Sequence, residues 1–134
     1  TAGMTQFIGA ISLVIQDYDE AIDFYVRTLG FELVEDTNLG GGKRWVLVGP
    51  PGSKETRLLL AKADSPTQEE AIGNQTDGRV FLFLNTNDFK CDHARFLERG
   101  VQFLEPPRHE PYGSVAVFQD PFGNKWDLIE KKSA

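Results

Sequence analysis

Tyr112-Gly-Ser-Val-Ala-Val-Phe-Gln-Asp-Pro-Phe-Gly-Asn-Lys-Trp-Asp-Leu-Ile-Glu130 reads as two short strands joined by one tight turn. Val115, Val117 and Gln119 alternate with Ala116 and Phe118, the period of two that a pleated strand imposes. Asp120-Pro-Phe-Gly-Asn124 then concentrates turn chemistry. Proline fixes φ, glycine permits positive φ, and Asp and Asn side chains bond their own backbone. Residues 126–129 return as the second strand, with one acid, Asp127, inside an otherwise apolar run.

The same punctuation occurs earlier in the chain. Gly49-Pro-Pro-Gly52 matches Asp120-Pro-Phe-Gly123, Asp17 matches Asn87, and Gly30 matches Gly100. Each copy opens on a strand, residues 8–16 and residues 80–84. Asp17, and then Asn87 or Asp88, are placed to cap a helix. Tyr18, Ile22, Tyr25, Val26 and Leu29 mark the apolar stripe of the first helix, and Phe89, His93, Phe96 and Leu97 that of the second. Each stripe ends at a glycine suited to a helix C′ position. Three strands follow each helix: 31–35, 44–48 and 57–61, then 101–104, 114–119 and 126–130. Gly40-Gly-Gly42 is a hairpin turn, and 63–77 is a linker with a helical turn around 68–72.

The expected fold is α+β: two tandem βαβββ modules forming a curved mixed sheet around a cleft. The reason is that one helix is too small to cover one whole sheet face in each module. A single domain spans 5–131, with module one at 7–63, the linker at 64–77 and module two at 78–131.

Composition narrows the function. The 134 residues are 40% hydrophobic and 25% charged, as in a globular domain. A net charge of −6 speaks against nucleic acid, whose phosphates call for a basic patch. No apolar run approaches a membrane span, and no secretory signal precedes the first strand, so a cytoplasmic protein is expected. Cys91 is the single cysteine, which excludes an internal disulfide and a thiolate metal cluster. Thr1-Ala-Gly3 before Met4 reads as an expression remnant.

The arrangement resembles the vicinal oxygen chelate superfamily of glyoxalase I, extradiol dioxygenases and bleomycin-resistance proteins. The resemblance is carried by Asp17-Tyr-Asp-Glu-Ala-Ile-Asp-Phe-Tyr25, Leu29-Gly-Phe31, Tyr112-Gly113, Asp120-Pro-Phe-Gly-Asn124 and Asp127-Leu-Ile-Glu130. It implies four metal-ligand positions, on the first, fourth, fifth and eighth strands. Carried onto this chain they fall on Ala10, Leu58, Arg79 and Asp127. Two of these have no donor atom and one is a cation, whereas a divalent site needs three or four His, Cys or carboxylate ligands. No metal or other cofactor is therefore expected.

On that resemblance, Arg79 and Asp127 are expected to face one another as an ion pair, either a polar anchor for a ligand or structural filling of an abandoned metal site. Alternation adds Phe81 and Phe83 to the cleft, with Ser12, Val14, Leu60 and Ile129 on neighbouring faces and Trp45 as a stacking surface. His109 and Tyr112 belong to a proline-rich loop, residues 105–113, at the expected mouth. No catalytic residue emerges. The leading expectation is a homodimer that binds a small organic ligand, cationic or aromatic, without a metal; drug sequestration is its most concrete form. The alternative is a metal-dependent lyase, isomerase or dioxygenase of the same superfamily, with a rearranged site.

Overall fold

A computed structural model describes residues 5–132; the expectation for Thr1-Ala-Gly3 lies outside them. The chain divides into two compact units at the Glu69–Glu70 bond.

The first unit opens with β1 (Ala10–Ile15). The Asp17 carboxylate accepts from the Glu20 backbone N–H at 2.9 Å and starts α1 (Tyr18–Ile22). The helix continues as a π-helical segment over Asp23–Thr28. Its wide turn rotates the stripe expected from sequence. Ala21, Phe24, Tyr25 and Leu29 are buried, while Ile22 and Val26 are only half-buried. Sequence spacing alone assumes 3.6 residues per turn and cannot register such a bulge. Strands β2 (Glu32–Gly40), β3 (Lys43–Gly49) and β4 (Arg57–Lys62) complete an open four-stranded sheet of order β1-β4-β3-β2. β1 runs parallel to β4, and the other pairs are antiparallel. Leu13, Ile15, Val46, Val48, Leu58 and Leu60 turn inward as a core, and α1 packs against β3 and β4. The short α2 (Pro66–Ala71) follows, with no buried residue.

The second unit repeats the pattern. β5 (Leu82–Asn85) runs parallel to β9 (Lys125–Lys131), which pairs antiparallel with β8 (Gly113–Gln119). The helix α3 (Phe89–Glu98) is capped twice: Asp88 accepts from the Cys91 N–H at 3.1 Å and Glu130 from the Phe89 N–H at 2.7 Å. Phe89 and Phe96 are its buried residues, while Leu97, expected in the stripe, is exposed. Phe118 lies at the centre of the core, with ring centroids 5.6 Å from Phe96 and 5.7 Å from Trp126.

One strand departs from the expected scheme. Residues 105–113 are not wholly a loop, because Arg108–Glu110 forms β7 and pairs with β8. The first unit spans β3 with one nine-residue edge strand, β2. The second divides that role between β6 (Gln102–Phe103) and β7, separated by Leu104-Glu-Pro-Pro107. Prolines cannot donate to a ladder, so the edge is interrupted there and resumes where N–H groups return.

Candidate functional site

In each unit, one sheet face packs its own helix, and the opposite face, here the open face, carries no helix of its own unit. On the second sheet, register places Phe83, Asp127 and Val117 side by side across β5, β9 and β8 on the open face. Asn85, Ile129 and Val115 form the next row, with Arg108 of β7 beside Val115. Asp127 is thus a carboxylate set among apolar neighbours. Its Oδ1 is enclosed and accepts no hydrogen bond among the described residues. Burial pushes its carboxyl above the ordinary carboxylate range; the Arg108 guanidinium pulls the other way, and Glu105 adds to the rise. Arg108 is itself committed, donating to Glu105 at 3.0 Å and to Glu110 at 3.4 Å.

The raised affinity of Asp127 for a proton has a consequence for stability. A carboxyl that binds its proton more tightly when folded penalises the folded state once it ionises. The penalty is absent below the unfolded value, about 3.9, and grows as pH rises through the window above it. Asp127→Asn is therefore expected to raise Tm at pH 7 and to lose that advantage near pH 3. Thermal melts across this range check the sign.

The expected Arg79–Asp127 pair is not formed. The charges that act on Asp127 are Arg108 and Glu105. Arg79 precedes β5 and lines a small cavity of about 30 Å³ with Gly73, Phe81, Asn124 and Lys125. His109 belongs to β7 and not to a free loop. Its register partner is Ser114, whose Oγ lies 2.9 Å from Nδ1, and its ring meets Phe89 at 6.4 Å, on the helix-packed side. Tyr112 sits exposed in the β7–β8 turn. Arg108 and Glu105 are the residues that sequence reading missed. The alternation Arg108-x-Glu110 was their signal, hidden by the two prolines before it.

The first sheet corrects one further placement. Leu60 pairs with Leu13 and Val46 and is fully buried on the helix side, so it belongs to the core. The open-face residue of β4 is Leu59, beside Ser12 and Leu47. Trp45 lies on that open face and is 41% exposed.

Comparison with known proteins agrees with this architecture. Residues 7–128 match the profile of the Glyoxalase/Bleomycin resistance protein/Dioxygenase superfamily, and the chain belongs to it. An uncharacterized protein of Shewanella frigidimarina (strain NCIMB 400) is 56% identical over 95% of both chains. The crystal structure of TnmS3, an antibiotic binding protein from Streptomyces sp. CB03234, is 34% identical, covers 98% of this chain and 100% of its own, and superposes with a TM-score of 0.76. A superfamily member from Sphaerobacter thermophilus DSM 20745 is 32% identical over 95% and 98% of the respective chains, with a TM-score of 0.73.

The metal-ligand positions implied by the family can now be placed by register. Ser12 pairs with Leu59 as Phe83 pairs with Asp127, and in both sheets the next pair, Leu13–Leu60 or Leu84–Leu128, turns toward the helix. Leu59 rather than Leu58 is thus the counterpart of Asp127, and Phe81 rather than Arg79 the counterpart of Ala10. The four positions then hold Ala10, Leu59, Phe81 and Asp127, a donor set that does not fit a divalent ion. Among the described residues no group of three or more His, Cys, Asp or Glu is placed to hold one. No helix among them is long and apolar enough to cross a membrane.

Proposed function

We propose that this protein binds a small organic ligand on the open face of its second sheet, without a metal, and that Asp127 is the polar anchor. The observation that carries this reading is the enclosed Oδ1 of Asp127, an acceptor lacking a donor and flanked by Phe83, Val117 and Ile129. A buried acceptor of this kind costs free energy until a donor reaches it. A ligand bearing an N–H or a cationic amine, with an aromatic body to lie against Phe83, supplies both halves. The likeness to TnmS3, an antibiotic binding protein, supports sequestration of a drug-like molecule over its conversion.

The same reading includes a cytoplasmic homodimer, in which a second copy covers exposed apolar side chains such as Leu33 and Val34 of the edge strand β2. Sedimentation velocity checks the dimer.

Calorimetric titration with proflavine, a planar aromatic cation, and with bleomycin tests the ligand reading. Saturable binding of either probe is expected, weakened about tenfold by Asp127→Asn, equivalent to about 1.4 kcal/mol. Equal affinity in the variant would remove Asp127 as anchor. Stoichiometric Zn, Ni, Mn or Fe in protein purified without chelator would favour the metal-dependent enzyme instead.

A further inference from the structure

A cavity of about 250 Å³ opens in the first unit, where the tip of the β2–β3 hairpin, β4 and the start of the α2 segment come together. Its floor is apolar, made by Trp45, Leu59 and Ala61, with Leu39 of the hairpin beside them. The Trp45 indole offers a broad, flat apolar surface on which a ring can stack. The volume suits a bicyclic ring system better than a larger one.

The charged side chains that line this cavity are mostly cationic, unlike those of the protein as a whole. Three cations, Lys43, Arg44 and Lys62, and one carboxylate, Asp64, line the cavity of a chain whose net charge is −6. Arg44 is saturated: it donates to Asp36 at 2.6 and 3.1 Å and to Asp19 at 2.9 Å. Lys43 is not. Its Nζ reaches Asp64 Oδ2 only at 3.5 Å, and both side chains are largely exposed, so little free energy holds that pair together. Lys43 also sits two residues before Trp45 on β3, so its side chain leaves the same face of the strand. Lys62, exposed at the end of β4, makes no ion pair among the described residues.

We propose that this cavity is a binding site for a planar aromatic acid, its ring stacked on Trp45 and its anionic group taken by Lys43, with Lys62 adding charge. All the residues that line the cavity belong to the first unit, whereas Asp127 belongs to the second, and the cavity's lysines favour the opposite charge. A lysine beside a ring platform recognises a carboxylate as a point charge, so binding is expected to weaken with salt.

Calorimetry with 2-naphthoate, and with 2-naphthalenemethanol as its uncharged counterpart, tests the site. One naphthoate is expected per chain, with quenching of tryptophan fluorescence. The alcohol is expected to bind about tenfold more weakly, and Lys43→Gln to weaken naphthoate by a similar factor. Trp45→Ala should abolish binding, while Trp45→Phe, which retains a ring and guards against misfolding, should keep part of it. Asp127→Asn should leave naphthoate affinity unchanged. Absence of naphthoate binding, equal affinities for acid and alcohol, or wild-type affinity in Lys43→Gln would each overturn the proposal. Loss of naphthoate binding in Asp127→Asn with retention in Trp45→Ala would overturn it too, while leaving the second-sheet reading intact. Proflavine binding that ignores Asp127, beside naphthoate binding that needs Trp45, would do the reverse.

Discussion

Asp120→Ala is expected to cost about 3–5 kcal/mol of folding stability. The residue opens the turn between β8 and β9 and is almost completely buried. Its Oδ1 accepts from the backbone N–H groups of Phe122 at 3.1 Å and Asn124 at 2.9 Å. Its Oδ2 accepts from Asn124 Nδ2 at 2.9 Å and from the Trp126 indole N–H at 3.3 Å. Alanine would leave these donors in a space closed to water, Trp126 and Asn124 being nearly inaccessible. Each orphaned buried donor costs about 1–3 kcal/mol, and the two backbone donors can partly relax in a loosened turn. Asp120→Asn should fall between alanine and wild type. One amide oxygen can still serve the backbone, but the amide NH2 then confronts two donors. Urea denaturation of the three proteins checks the order; a loss below about 1 kcal/mol for alanine would mean that the turn is held by something else.

That turn was legible in the sequence for the same reason that it is stabilising: its constraints are local. Asp120, Pro121, Gly123 and Asn124 each state a backbone or hydrogen-bonding preference that needs no distant partner. Gly30 and Gly100 are similar, both found at positive φ at the ends of their helices. What escaped was set by pairing. Leu58, Leu59 and Leu60 carry no alternation, so only the register with β1 and β3 decides that Leu59 is open and Leu60 is core. His109 looked like a loop residue because Pro106 and Pro107 precede it, yet its pairing with Ser114 turns it toward Phe89. The π-helical segment moved Phe24 into the core at the expense of Val26, a shift that periodicity cannot foresee. The candidate site was legible in its central residue, Asp127. Its charged neighbours were not: Arg108 belongs to the strand that the prolines concealed, and Glu105 lies just before those prolines.

Gly73→Ala should be the second severe substitution, although the residue lies in a segment that composition describes only as a linker. Its φ is +74°, and a Cβ built there would strike the carbonyl of Phe122 and come within 3.1 Å of Gly123 Cα. The left-handed conformation alone costs an L-residue about 1–2 kcal/mol. The obstructing atoms are backbone, so no rotamer change relieves the contact, and the segment must lift from the turn. A total loss of about 3 kcal/mol or more is expected. Gly78→Ala is the control, since Gly78 also has positive φ, +92°, but a Cβ there meets open space. It should lose only the conformational part. Equal losses for the two alanines would show that the linker does not bear on the turn. Because Gly73 packs on the turn that Asp120 ties together, their effects should not add. In Asp120→Ala the turn is already free to yield, so adding Gly73→Ala should cost less than in the wild type, by an amount that a double-mutant cycle reads directly.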